Sequence, residues 1–136
     1  MDSANILLEL GMEATDPILT AVADLFFSVW REKDGRFKIA PTGGILPCHT
    51  ACAASLMCRL GYAEDRRIQA TLRHLLDTPW DDGGWRCNKF SFDRGPETEH
   101  SNPLPTLNAL DAFRFSAYLN NEPSLDKAAL FLLITN

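Results

Sequence analysis

Asp81-Asp82-Gly83-Gly84-Trp85-Arg86-Cys87 is the stretch that decides the fold of this 136-residue chain. Adjacent glycines permit positive φ and a sharp reversal. A tryptophan directly after them supplies a large apolar anchor to pack beneath the turn. Ahead of the turn, Ile68, Leu72, Leu75 and Leu76 fall at i, i+4, i+7 and i+8, which makes one apolar helical stripe. Arg66, Arg67, Gln69, Arg73 and His74 lie largely off it. The pattern predicts an outer helix with one wet face, opened by Asp65 as N-cap. Further back, Pro47 suits a helix start, because it donates no N–H and its φ is already helical. Thr50, Ala51, Cys52, Ala53, Ala54 and Ser55 are all small, so this inner helix can approach its neighbours closely. Gly61 follows Leu60 where a left-handed residue ends a helix. The result is an antiparallel hairpin over 48–60 and 65–77.

The design recurs. Residues 46–78 overlay 104–136 without a gap, and eight positions are identical: Leu46/Leu104, Pro47/Pro105, Ala51/Ala109, Ala54/Ala112, Glu64/Glu122, Ala70/Ala128, Leu72/Leu130 and Leu75/Leu133. A one-residue shift in the second half fits almost as well. The second hairpin is predicted over 106–119 and 124–135, with Ser124 as cap. Residues 16–31 read as an outer helix followed by Asp34-Gly35-Arg36-Phe37, the counterpart of Asp82-Gly83-Gly84-Trp85. Residues 42–45 and 88–102 are predicted loops. The chain is therefore expected to be all-α and a single domain over 1–136, built of about two and a half hairpin repeats (16–37, 46–87 and 104–136).

Paired helices closed by Asp82-Gly83-Gly84-Trp85 resemble the repeats of squalene–hopene and oxidosqualene cyclases and of protein prenyltransferase β-subunits. The resemblance runs from about Asp16 to Asn136. It is nearest to bacterial prenyltransferase-repeat proteins of unassigned activity, on Pro47-Cys48, Arg59-Leu60-Gly61-Tyr62 and Asp82-Gly83-Gly84-Trp85-Arg86-Cys87. It implies an α/α toroid, with inner helices ringing a cavity and outer helices around them. The implied function is a terpenoid cyclase- or prenyltransferase-like protein that binds or transforms an isoprenoid-like apolar substrate. The alternatives are a non-catalytic helical-repeat interaction module and an inactive fragment of a larger toroid enzyme. The sequence departs from those families in named places. Pro79 and Arg31 stand where cyclases carry a glutamine. The Asp-x-Asp-Asp acid motif and the Asp-x-Cys of a zinc site are absent.

Composition narrows the classes. Thirteen basic against eighteen acidic residues leave a formal net charge of −5. No basic stripe runs along any element, so nucleic acid is not an expected partner. No apolar run reaches the ~18 residues of a spanning helix. The segment Met1 to Met12 lacks a basic n-region and contains Glu9, unlike a signal peptide. A cytoplasmic location with free thiols is the expectation. Each helix pair buries its flanks only against neighbours. Two and a half pairs make an arc, so self-association or partner repeats completing the toroid are expected.

Repeat topology also places the candidate chemistry. Inner helices start at the rim where outer helices finish. Cys48, His49 and Cys52 open an inner helix, Cys87 follows an outer one and His100 precedes the next inner one. Cys48 and Cys52 share a helix face at i, i+4. With His49 and Cys87 they form a candidate zinc set, and the helix N-terminus is expected to lower the thiol pKa. The competing reading makes Cys52 and Cys58 small packing residues. Asp111, a charge on an inner helix, is the candidate catalytic acid, with a pair to Arg114 or an exposed face as the competing reading. Trp85 and Phe113 are the candidate substrate-binding aromatics, with core packing as the competing reading.

Overall fold

The computed structural model describes residues 1–38, 40, 42, 44–87 and 100–135. Six α-helices occur among them: α1 (Asp2–Glu9), α2 (Pro17–Leu25), α3 (Pro47–Met57), α4 (Arg66–Asp77), α5 (Pro103–Phe113) and α6 (Ser124–Thr135). Wider π-type turns extend α2 over Phe26–Trp30 and α3 over Cys58–Tyr62. The described residues hold no strand beyond a single antiparallel bridge between Arg31 and Phe37. The all-α expectation is met.

Local chemistry accounts for the helix ends. Prolines stand in the first turn of α2, α3 and α5. Asp16 accepts the Ile18 N–H at 2.9 Å and Asp65 accepts the Arg67 N–H at 2.8 Å, so both carboxylates satisfy donors that a helix start leaves orphaned. Gly61 has φ 96°, the left-handed reversal expected after α3. Two boundaries differ from the sequence reading. The second inner helix spans Pro103–Phe113, not 106–119, and a short 3₁₀ turn at Leu119–Asn121 follows it. Buried Ser116 causes the early stop. Its N–H donates to the Phe113 carbonyl at 3.0 Å, and its Oγ accepts the Leu119 N–H at 3.2 Å. That pair tightens the backbone before a further helical turn can form. Helix α6 begins at Ser124 itself. The N-terminal helix α1 has no counterpart in the sequence reading. It is short and buries only Ala4 fully.

The inner helices form the centre. α3 and α5 make the most extensive interhelical contact, and α4 and α6 lie against α3 and α5 respectively. Close approach is possible because the contacting faces are small: Ala51, Ala53, Ala54, Ala109 and Ala112 are fully buried. Leu19, Phe37, Leu56, Met57, Ile68, Leu72 and Phe113 fill the remaining space with no exposed surface. Each such side chain contributes about 1.5–3 kcal/mol through burial.

Two matched hydrogen bonds tie the turns to the inner helices. The Phe37 N–H donates to Thr50 Oγ1 at 3.1 Å, and the Trp85 N–H donates to Thr106 Oγ1 at 3.0 Å. Each turn aromatic is thus tied to a buried threonine on the next inner helix. Thr71 of α4 donates its hydroxyl to the Gly35 carbonyl at 2.6 Å. Gly35 has φ 91°, and a Cβ there would stand 3.1 Å from the α4 backbone at Ala70 and Thr71. Gly35→Ala is therefore expected to cost about 2 kcal/mol, from left-handed strain and crowding together. Chemical denaturation checks it, with a shifted midpoint and an unchanged slope.

Candidate functional site

Two clusters gather the candidate residues, one at each end of the inner helices. The first is the rim where α3 and α5 begin. Cys48 occupies the first turn of α3. Cys87 lies two residues past Trp85 in a segment clamped to the start of α5. The Asn102 N–H donates to the Trp85 carbonyl at 2.8 Å, and the Cys87 N–H donates to Asn102 Oδ1 at 2.6 Å. This two-way clamp sets the Cys48 thiol in contact with Cys87 Sγ, 3.0 Å away. The convergence that repeat topology requires is present.

The other members of the proposed metal set do not join this pair. Cys52 is half-buried and feels the charges of Asp2 and the N-terminal amine, which places it toward α1. His49 is half-buried in the first turn of α3 and His100 is exposed. No group of three or more His, Cys, Asp or Glu side chains is placed to hold a metal ion among the described residues. The expected fall in thiol pKa is reversed. Burial pushes Cys48 up to about 12, aided by the hydrogen bond to Cys87 and its charge. Those effects outweigh the lowering from the backbone N–H groups at the helix start. Cys58 is buried on α3's extension, and desolvation, with the charges of Asp111 and Glu64, pushes it up to about 12.

The second cluster surrounds Asp111, in the last turn of α5. Ser55 Oγ–H donates to Oδ2 at 2.6 Å and Arg59 Nε donates to the same oxygen at 2.8 Å. Arg114 Nε reaches Oδ1 at 2.9 Å, and Glu9 of α1 lies 3.6 Å from Arg59. Burial works to raise the Asp111 carboxyl. The hydrogen bonds from Arg59 and Ser55 and the two arginine charges outweigh it and hold the group below its ordinary value. A general acid needs the opposite direction. The geometry is that of a carboxylate anchor joining α3, α5 and α1.

The aromatic candidates sit inside the protein. Trp85 is 2% exposed and its Nε1–H donates to the Leu75 carbonyl at 3.0 Å. Its ring lies 6.2 Å from that of Phe113, which is fully buried. Both are packing residues beneath the Asp82–Trp85 turn. Asp82 itself holds that turn to the next helix. Its carboxylate accepts the Ser101 N–H at 2.8 Å, the Ser101 hydroxyl and the Gly84 N–H at 3.3 Å. Surface hollows of about 630 and 500 Å³ are lined by Leu7–Pro17 residues and by Arg31, Asp65, Arg66 and Arg67 respectively. Neither touches Asp111, Trp85 or Phe113.

An incomplete arc is expected to leave apolar flanks, that on α6 including Leu130 and Leu133, and apolar residues are displayed on the outer surfaces. Leu104 and Leu107 of α5, and Leu130, Leu133 and Ile134 of α6, are largely exposed. Their spacing merges with the buried stripe, so only a comparison of burial between α4 and α6 separates them. Fold and site together define a helical-hairpin protein with a paired-thiol rim. No family model, curated protein or solved structure matches the chain. No described helix is long and apolar enough to cross a membrane.

Proposed function

We propose that this chain is a helical-repeat assembly module, which packs its α5/α6 flank against a hairpin of the same design in a second copy. One observation carries the reading. Helix α4, covered by its neighbours, buries Ile68, Thr71, Leu72 and Leu75. Helix α6 buries only Leu125, Ala128 and Phe131. It leaves Leu130, Leu133 and Ile134 at 55%, 76% and 73% exposed. A contiguous apolar face of that kind on a hairpin repeat fits another hairpin. Helix α2 and its extension are apolar on the surface as well, with Ile18, Leu25 and Val29 exposed. Joining the α6 flank of one copy to the α2 flank of the next is a head-to-tail contact, which closes into a ring if the rotation allows.

This reading stands above isoprenoid binding because Asp111 is bound by two arginines and Trp85 and Phe113 are buried in the core, whereas the apolar flanks are exposed in a single copy. The toroid implied by the repeat resemblance would then arise by assembly. Analytical ultracentrifugation tests it. Association should rise with concentration for the unaltered chain and fall at least tenfold for Leu133→Glu, whose exposed position leaves folding intact. A monomer throughout the concentration series would overturn the proposal. Association that Leu133→Glu does not weaken would overturn the assignment of the flank.

A further inference from the structure

The four cysteines are free thiols, yet two of them touch. We propose that Cys48 and Cys87 form a thiol–disulfide exchange site, which reacts with small disulfides of the glutathione class and closes to a reversible intramolecular disulfide. The site goes beyond the assembly reading and does not depend on it. Its geometry is built by the fold. Asn102 clamps the Cys87 backbone, α3 fixes Cys48, and the sulfurs meet at 3.0 Å although the residues are 39 apart in sequence. Closing to a covalent S–S bond of about 2.05 Å needs a sulfur movement of only ~1 Å. Rotation about the two side chains can supply it. Both thiols are partly exposed, so a small disulfide can reach them, while Cys58 is buried.

The order of events follows from Cys48. Burial holds its thiol protonated and it lies against Cys87 Sγ, so Cys87 attacks first. Cys87 thiolate attacks one sulfur of RSSR. The Sγ–S bond forms, the RS–SR bond breaks, and RS⁻ leaves to take up the proton that Cys87 released. Cys48 then gives up its proton and attacks Cys87 Sγ. The intramolecular bond forms, the mixed disulfide breaks, and the second RS⁻ leaves as RSH. The dithiol loses two electrons and two protons, and RSSR becomes two RSH. Burial chiefly holds Cys48 protonated at first, with the Cys87 hydrogen bond and charge adding to it. The last two effects are relieved once Cys87 is capped, so Cys48 acts second. The closed bond would tie the start of α3 to the turn that caps α5.

The full chain, reduced and then equilibrated in glutathione redox buffers, tests the site by acid quench, alkylation and intact mass. The expected oxidised species has lost two hydrogen masses, and peptide mapping links Cys48 to Cys87. The dithiol-to-disulfide ratio should follow the square of reduced glutathione over oxidised glutathione, the signature of an internal bond. The oxidised form should melt roughly 10 °C above the reduced form. Cys48→Ser should retain a glutathione adduct on Cys87, while Cys52→Ser and Cys58→Ser should close normally. Two outcomes overturn the proposal: a folded chain that forms no internal link in fully oxidised glutathione, and a link that maps to Cys52 or Cys58. Mapping of the unaltered chain decides the matter if a serine variant fails to fold.

Discussion

Trp85→Ala is expected to destabilise the chain by about 4 kcal/mol, the upper part of the range for large aromatic deletions. The residue is 2% exposed, packs on Phe113, and gives its indole N–H to the Leu75 carbonyl. Its own backbone N–H is bound by Thr106. The side chain therefore joins the end of α4 to the start of α5 and fills the space under the Gly83–Gly84 reversal. Truncation leaves a cavity and strips the Leu75 carbonyl of its indole donor. Trp85→Phe keeps most of the packing and loses the hydrogen bond, so a cost nearer 2 kcal/mol is expected. Urea unfolding followed by circular dichroism distinguishes the two. Equal costs would show that packing counts for little and that the hydrogen bond carries the position.

The second large effect concerns Asp111. Its side chain is 15% exposed and binds both Arg59 and Arg114. Asp111→Ala is expected to cost about 3 kcal/mol, because it removes the carboxylate that binds Arg59, Arg114 and Ser55 in a partly buried site and leaves Arg59 only the more distant, exposed Glu9. The carboxyl is held below its ordinary value of 3.8 when folded. Its contribution to stability is therefore present above that value and is lost as pH falls below it through the folded pKa. The difference in stability between the unaltered chain and Asp111→Asn should shrink as pH falls below about 4. Denaturant midpoints taken from pH 7 down to pH 3 check it. A difference that does not change across that range would mean the carboxylate's charge is immaterial to the fold. A double-mutant cycle with Arg59→Ala should show strong coupling, since the pair shares a 2.8 Å hydrogen bond.

Much of the fold was legible in local chemistry. Asp16, Asp65 and Gly61 act at the helix ends where short-range rules place them. These are interactions over a few residues, and a linear sequence displays them. Helix α5 escaped because its stop depends on Ser116, whose hydroxyl is committed only once the turn has formed. The candidate site was readable in part. Repeat topology brought Cys48 and Cys87 to one rim, since the ends of alternating helices must meet. The fate of Cys52 was not readable, because it depends on where α1 docks.

The sequence by itself determined the hairpin repeat, its turn glycines, its tryptophan anchor and the small-residue inner faces. All follow from periodicity and from conformational limits on single residues. Tertiary structure alone decided the rest. It added Arg59 and Ser55 to the local Arg114 pair and so made an anchored anion of Asp111, whose one sequence-near partner is Arg114. It raised the Cys48 thiol where the helix start alone would lower it, because desolvation and a neighbouring sulfur exceed the pull of the backbone N–H groups. It also separated the apolar residues of α4, which are covered, from those of α6, which are open. Burial and charge environment are properties of neighbours distant in sequence, and helical periodicity carries no record of which flank a later hairpin will cover.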